Sequence, residues 1–407
     1  MLAARLAQTL LSASQRQNTR GVCCITTLML ISLLAAFTAC EKFSPAPVHP
    51  YLEEPYPAEL SDWHLFVTNR PRLAPNQGVV PYDLNTPLFS DYASKYRFVW
   101  MPPGTSATYS ENGVFDFPVG TILAKSFAFP TEARPDKERL IETRLLVHTR
   151  SGWIGLPYVW NEGQTEAHLD LAPDPVPICY TDPTGARHDF TYFIPNANEC
   201  KQCHDNNHVM LPIGPKARNL NKSFAYATGP ANQLAYWTKI GYLQGGPPVT
   251  QAPKVAVWND PNSGPLDARA RAYLDNNCAH CHQPGGTAGY TGIDLRVSYE
   301  SMSGQPPSAV PRAQPAHSSA KGGDAKAQDL HSFGLCKSPN SAGRIGTLTY
   351  DLVPGHPEQS ILLARMESLR PKEMMPQIGR SVVHGEGVAL IREWIQSLPC
   401  VDACAKR

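Results

Sequence analysis

The sequence predicts a multi-domain chain: an N-terminal all-β, sandwich-like part, then mainly α-helical ones. Three observations carry this. Apolar residues alternate in short runs between proline and glycine turns from residue 61 to about 195. Two later segments, "SGPLDARARAYLDNN" and "HGEGVALIREWIQSLP", repeat apolar residues at helical spacing. Only 17% of the 407 residues are charged and 39 are proline, which suits a loop-rich exported chain better than a helical cytosolic one.

The first element is the leader. Arg5, Arg16 and Arg20 precede the apolar "GVCCITTLMLISLLAAFTAC", and no acidic residue comes before Glu41. A basic start, an apolar core and small residues before a cleavage point describe an export signal over 1–39. "FTAC" runs at once into the proline-rich "EKFSPAPVHPYLEEPYP", so 40–60 reads as a tether. Small residues leading into Cys40 resemble a bacterial lipoprotein processing site, which implies lipidation of Cys40 and a membrane held through that lipid anchor. The expected place is the cell envelope, at the outer membrane facing the periplasm. The alternatives are an uncleaved anchor, since the run approaches the length of a span, and ordinary secretion.

Residues 61–195 form the β part. "KYRFVWMP", "GTILAKSFAF" and "RLIETRLLVHT" are β-like, and "RLIETRLLVHTRSGWIGLPYVWN" is a hairpin turning at Ser151-Gly152. "ICYTDPTGARHDFTYF" is a second hairpin around Asp182-Pro183-Thr184-Gly185. Trp100, Trp153 and Trp160 are expected in the core. Asp91 and Glu142 show no partner and are expected at the surface.

Two copies of one pattern follow. "NECKQCHDNN" carries Cys200, Cys203 and His204, and "LDNNCAHCHQPGG" carries Cys278, Cys281 and His282. A disulfide, a zinc site, a redox dithiol and covalent haem compete. Zinc would need both cysteine pairs to meet and needs no histidine directly after each. A redox dithiol belongs in a thioredoxin-like βαβ setting, which is missing. Haem attachment needs this spacing: two thiols reach two vinyl groups on one porphyrin edge, and the next residue brings imidazole under the iron. The reading is two covalently bound haem c groups, with His204 and His282 as iron ligands. The fold expected beyond residue 195 is therefore α-helical haem domains of cytochrome c type, over 196–255 and 262–400.

The helix in "SGPLDARARAYLDNN", with Pro265 near its first turn, ends just before Cys278. The last helix carries Val388, Ile391, Ile395 and Leu398 on one face, with Leu390 and Trp394 beside it. Between them, "PKEMMPQIGR" places a methionine before Pro376, and Met375 is the expected sixth ligand of the second haem. The approach to Cys200 is strand-like and its helix is expected afterwards, in "GPANQLAYWTKIGYL". The sixth ligand there stays open among His168, His188, His208 and Met210. Residues 304–328 read as a disordered insertion. Cys179, Cys336, Cys400 and Cys404 remain for disulfides of unread pairing.

From "CAHCHQPGG" through "PGHPEQSILLARM" and "MMPQIG" to the final helix, the chain resembles a class I cytochrome c domain. Taken whole, "LNTPLFSDYASKYRFVWMPPGT", "FIPNANECKQCH" and "LPIGPKARNLN" resemble a family of dihaem c-type cytochrome lipoproteins of uncharacterised function. That resemblance implies electron transfer to and from a redox partner protein in the envelope. The alternative is a dihaem enzyme, such as a cytochrome c peroxidase or small-molecule oxidoreductase, with one open haem. No other catalytic constellation is visible. Lys and Arg total 36 against 35 acids, a net charge of +1, so nothing holds a nucleic acid backbone.

Overall fold

Period-two alternation in the apolar runs resolves into one large sheet. The computed structural model describes residues 45–67, 73–131, 134–182, 185–297, 333–340, 343–399 and 404. The expected leader, Cys40 and the insertion 304–328 lie outside the described residues. The strands are β1 (Val80–Tyr82), β2 (Ser94–Trp100), β3 (Ala107–Thr108), β4 (Ile122–Thr131) and β5 (Arg134–Thr149). They continue as β6 (Gly152–Trp160), β7 (Ala167–Leu169), β8 (Val176–Thr181) and β9 (Arg187–Tyr192). Six of them form an antiparallel sheet in the order β1-β2-β4-β5-β6-β7. Both expected hairpins are present: Thr149 faces Gly152 across β5 and β6, and Thr181 faces Arg187 across β8 and β9.

Alternation gives the sheet two different faces. On one, Phe98, Trp100, Ile122, Leu145, Val147 and Tyr158 pack against Leu60, Trp63 and Leu65 from the preceding segment. The Trp63 indole N–H donates to the Tyr158 hydroxyl at 2.7 Å and fixes that layer. On the other face, Val99, Met101, Leu123 and Trp153 meet Leu220, Leu234 and Trp237 from beyond the first cysteine motif. Phe127 and Phe129 sit against Ile178, Tyr180 and Tyr192 of the β8–β9 ribbon. Both faces are covered, so the β strands are the middle of the molecule. Residues Pro47–Arg407 pack as one unit.

This corrects the expected fold class. The β part is one six-stranded sheet with small ribbons, where a sandwich was expected, and the chain as a whole is mostly β with few helices. The helices beyond residue 195 are short: Ala197–His204, Ala217–Leu220, Gln233–Lys239, Leu266–Asn277, Ile361–Glu367 and Gly385–Ser397. Proline and glycine interrupt the stretches between them, as in Pro212 to Pro215 and Gly245 to Pro248, and remove the N–H groups and rigidity that longer helices need. The mainly α-helical cytochrome domains are therefore not formed.

The helix expected in "GPANQLAYWTKIGYL" is present as Gln233–Lys239, and the other two read from sequence are present and meet. Tyr273 and Leu274 of Leu266–Asn277 share a core with Leu390, Ile391, Trp394 and Ile395 of Gly385–Ser397. The Trp394 indole donates to Asp267 at 2.8 Å across that contact. Cys336 and Cys404 form a disulfide. Cys179 accepts a 2.7 Å contact from the Arg187 guanidinium, and Cys400 lies outside the described residues. Among the described residues, no helix is long and apolar enough to cross a membrane.

Asp91 and Glu142 correct a second expectation, because both are buried. Asp91 accepts from the backbone N–H groups of Ser381 and Val382 at 2.7 and 3.0 Å. Glu142 is paired with Arg144 and accepts from the Tyr192 hydroxyl at 2.6 Å. A buried carboxylate needs such partners: those of Asp91 come from a distant segment, and Glu142 has Arg144 two residues on and Tyr192 from the β8–β9 ribbon.

Candidate functional site

The helix Ala197–His204 carries the first motif itself. Asn196 caps it by accepting from the N–H groups of Asn198 and Glu199, each at 2.9 Å, and Glu199 reaches back to the Asn196 N–H. This capping box sets the helix start. Positions i, i+3 and i+4 then fall on one side, so Cys200, Cys203 and His204 face together. They line a cleft of about 1220 Å³, its open mouth included, against the sheet. Its apolar wall includes Leu84, Leu88, Leu123, Leu146, Pro212 and Ile213.

Gly155 on β6 makes the close approach of this helix to the sheet possible. A Cβ there would lie 3.1 Å from Cys200 Cβ, 3.3 Å from its Sγ and 3.2 Å from Met210 Cε. The His204 ring is equally constrained. Its Nδ1 lies 2.7 Å from the Leu211 carbonyl oxygen, and a carbonyl only accepts, so Nδ1 carries the proton and Nε2 keeps its lone pair. Burial first, and then the nearby His280, Lys125 and Arg144, hold its pKa down to about 4 against the Leu211 bond. The imidazole is neutral at physiological pH, the form that binds a metal.

The second motif begins where Leu266–Asn277 ends. Cys278 lines a smaller cavity of about 400 Å³ with Met366, Met375, Tyr273, Arg380 and His384. Met375 reaches it and Met374 does not. The loop behind Met375 is stapled by Arg365, which donates to the carbonyls of Gly343, Lys372 and Glu373. His282 is not among the residues lining this cavity. Its Nδ1 lies 3.3 Å from Thr291 Oγ1, whose own proton goes to the Ala288 carbonyl at 2.7 Å, so Nδ1–H donates and Nε2 is again left basic. The structure thus brings Met375 to Cys278 and leaves the His282 ring on Thr291.

The two motifs abut. Cys203 and Cys281 bring their sulfurs, with a ring nitrogen of His280, within 4.8 Å of one another. Backbone contacts hold them there: Asn207 N–H donates to the Gly285 carbonyl at 2.8 Å, and the Thr287 hydroxyl donates to the Gln202 carbonyl at 2.9 Å. Gly285 has φ +83°, and a side chain there would run into Asn207. The Cys203 thiol hydrogen-bonds to Cys281, which pulls the Cys281 pKa down and pushes that of Cys203 up. Cys200 faces the large cleft and Cys278 the small one, so the four cysteines do not converge on one point.

The upstream histidines stand elsewhere. His168 is exposed beside Glu59, and His188 pairs with Asp182 and stacks on Tyr180 at 4.7 Å. His208 is exposed, whereas Met210 packs beside Cys200. Sequence reasoning missed His384, which is buried in the small cavity, stacked on Phe89 at 4.1 Å and bonded to the Tyr273 hydroxyl at 2.9 Å. It also missed Arg97, Lys125 and Arg144, which line the large cleft. The alternation of β2, β4 and β5 placed these three on one face, but their opposition depends on strand register. Comparison with family models, curated proteins and solved structures finds no match.

The residues around Cys200 suit a covalently held porphyrin. Two thiols and an Nε2-basic histidine open together on a cleft with an apolar wall. Around Cys278 the fit is partial: the thiol and the Met375 thioether share the small cavity, and His282 stands outside it.

Proposed function

We propose that the protein is a dihaem c-type cytochrome that carries electrons between redox partner proteins at the bacterial cell envelope, tethered through lipid on Cys40. The observation that supports it most is the large cleft: Cys200, Cys203 and His204 face it together, on the side where Gly155 leaves room. Haem, when bound, supplies the one-electron iron couple.

The protein's part is to attach, orient and insulate. Cys200 and Cys203 are the thiols for one group, and Cys278 and Cys281 for the other. Leu211 holds His204 in the tautomer that offers Nε2 to iron, and Thr291 does the same for His282. Met375, which shares a cavity with Cys278, would be the soft ligand on that side and would favour the reduced metal. The contact between Cys203 and Cys281 brings one thiol of each motif together, and groups held by both motifs would be neighbours able to pass an electron.

The test is a pyridine haemochrome ratio on purified protein with a tryptic digest. Two haems per chain, on the Cys200/Cys203 and Cys278/Cys281 peptides, are expected. One haem or none sinks the dihaem reading.

A second reading is favoured by the cluster of Cys203, His280 and Cys281. Two thiolates and an imidazole are a donor set for a soft or borderline ion such as zinc. A stoichiometric metal in a haem-free purified chain, lost on changing His280 to Ala, would support it.

A further inference from the structure

The sheet register sets three cations abreast along the cleft. Arg97 on β2 faces Lys125 on β4, and Lys125 faces Arg144 on β5. Like charges directly opposite across strands repel, so such a row needs acids to answer it. Asp83 answers Arg97 at 2.9 Å through Nη1, and Glu142 answers Arg144. Among the described ion pairs none involves Lys125, whose ammonium lies over the Phe127 ring, 4.7 Å from its centroid. Arg97 is only 5% exposed, and its Nη2 is buried without a hydrogen-bond partner among the described residues. A buried, unmade guanidinium bond costs the full desolvation of that group. All three side chains line the cleft onto which Cys200, Cys203 and His204 open.

We propose that the Arg97–Lys125–Arg144 row is a carboxylate-binding subsite that takes the two propionates of the porphyrin attached at Cys200 and Cys203. The proposal rests on the haem reading above. Its chemistry is that of the porphyrin: the propionates leave the ring on the side away from the vinyl carbons that the thiols hold. The row starts at Arg144, within electrostatic reach of Cys200 and Cys203, and runs across two strands, about 10 Å, to Arg97, so its far end lies away from the thiols. Charge-assisted bonds from guanidinium and ammonium to carboxylate are the strong ones, most so where water is excluded. The subsite therefore fixes ring orientation, and its positive charge opposes the ferric state.

The experiment uses the full chain matured with haem, with Arg97→Met and Lys125→Met singly and together, and Lys125→Arg as the charge-conserving control. Two quantities are read: haem on the Cys200/Cys203 peptide by mass, and each haem's potential across pH 5 to 8. The expected result is that the Met variants lower one haem's potential and give it a steeper pH dependence, as its carboxylates lose the partners that held them ionised. The other haem stays as it was. If a Met variant fails to load at Cys200/Cys203, Lys125→Arg must restore loading, since charge is what the subsite needs. Haem at that peptide with unchanged potential and pH profile in the double variant overturns the subsite and leaves the haem reading standing. Failure of Lys125→Arg to restore loading overturns it too, as does a change from low-spin to high-spin iron with Lys125→Met alone, which would make the lysine an iron ligand. No haem on the wild-type peptide overturns the haem reading itself.

Discussion

Cys203 and Cys281, from two motifs far apart in the chain, hold their sulfurs within one small cluster. In a chain made without haem attachment, mild oxidation should join these two as a disulfide. A non-reduced tryptic digest should then link the Cys200/Cys203 peptide to the Cys278/Cys281 peptide. Bridges found only inside each motif would contradict the packing of the two motifs. The haem-loaded protein should give no such linked peptide.

Gly155 is the clearest steric control. Gly155→Val puts branched carbon where Cys200 now sits, and overpacking of this kind costs roughly 1–3 kcal/mol. The expected outcome is a folded protein whose haem content falls from two to one per chain, the loss falling on the Cys200/Cys203 peptide. Full loading of both peptides would remove Gly155 from the argument.

Met375 and Met374 are neighbours with different surroundings, since only Met375 lines the cavity beside Cys278. Met375→Ala should erase the sulfur-to-iron charge-transfer band of the oxidised protein, lower that haem's potential and let carbon monoxide bind. Met374→Ala should leave the band in place. The reverse pattern would mean the right loop and the wrong sulfur. With neither variant affecting the band, His384 in the same cavity becomes the residue to change.

The helix leading to Cys278 is pinned by a buried pair, Arg218 and Asp275, with contacts of 2.8, 2.9 and 3.0 Å. Breaking one partner of such a pair costs about 3–5 kcal/mol, so Arg218→Met should lower the urea midpoint by that equivalent. Burial pushes the Asp275 carboxyl up, but Lys216, Arg218 and the Val297 N–H outweigh it and leave the pKa lowered. A carboxyl lowered on folding stabilises above its unfolded pKa of about 4, and the contribution fades as pH falls through the folded value. Urea midpoints from pH 7 down to pH 3 should therefore drop more steeply in wild type than in Asp275→Asn. Equal slopes would assign the acid sensitivity elsewhere.

What was legible in the sequence was local. The turns at Ser151-Gly152 and Asp182 to Gly185, and the helices ending before Cys278 and spanning Gly385–Ser397, rest on turn chemistry and periodicity within a dozen residues. The capping box of Asn196 and Glu199 was equally local, but the strand-like run before it drew the reading away. The sheet was misjudged because alternation tells which side a residue takes and not what covers that side. Here an N-terminal segment covers one face and the post-motif segment the other, in place of a second sheet. Asp91 was invisible because its partners are some 290 residues away, and Glu142 and the row of three cations because their meaning depends on strand register and on packing against the β8–β9 ribbon.

The cavity beside Cys278 has walls from both ends of the described chain: Phe89, whose N–H is bound to Asn277 at 2.7 Å, and His384 and Val388 in or beside the last helix. Pro376 lines the large cleft as well, so the segment that follows Met375 walls both cavities. Neither is complete before that segment is in place, and the two sites are built together and not one after the other.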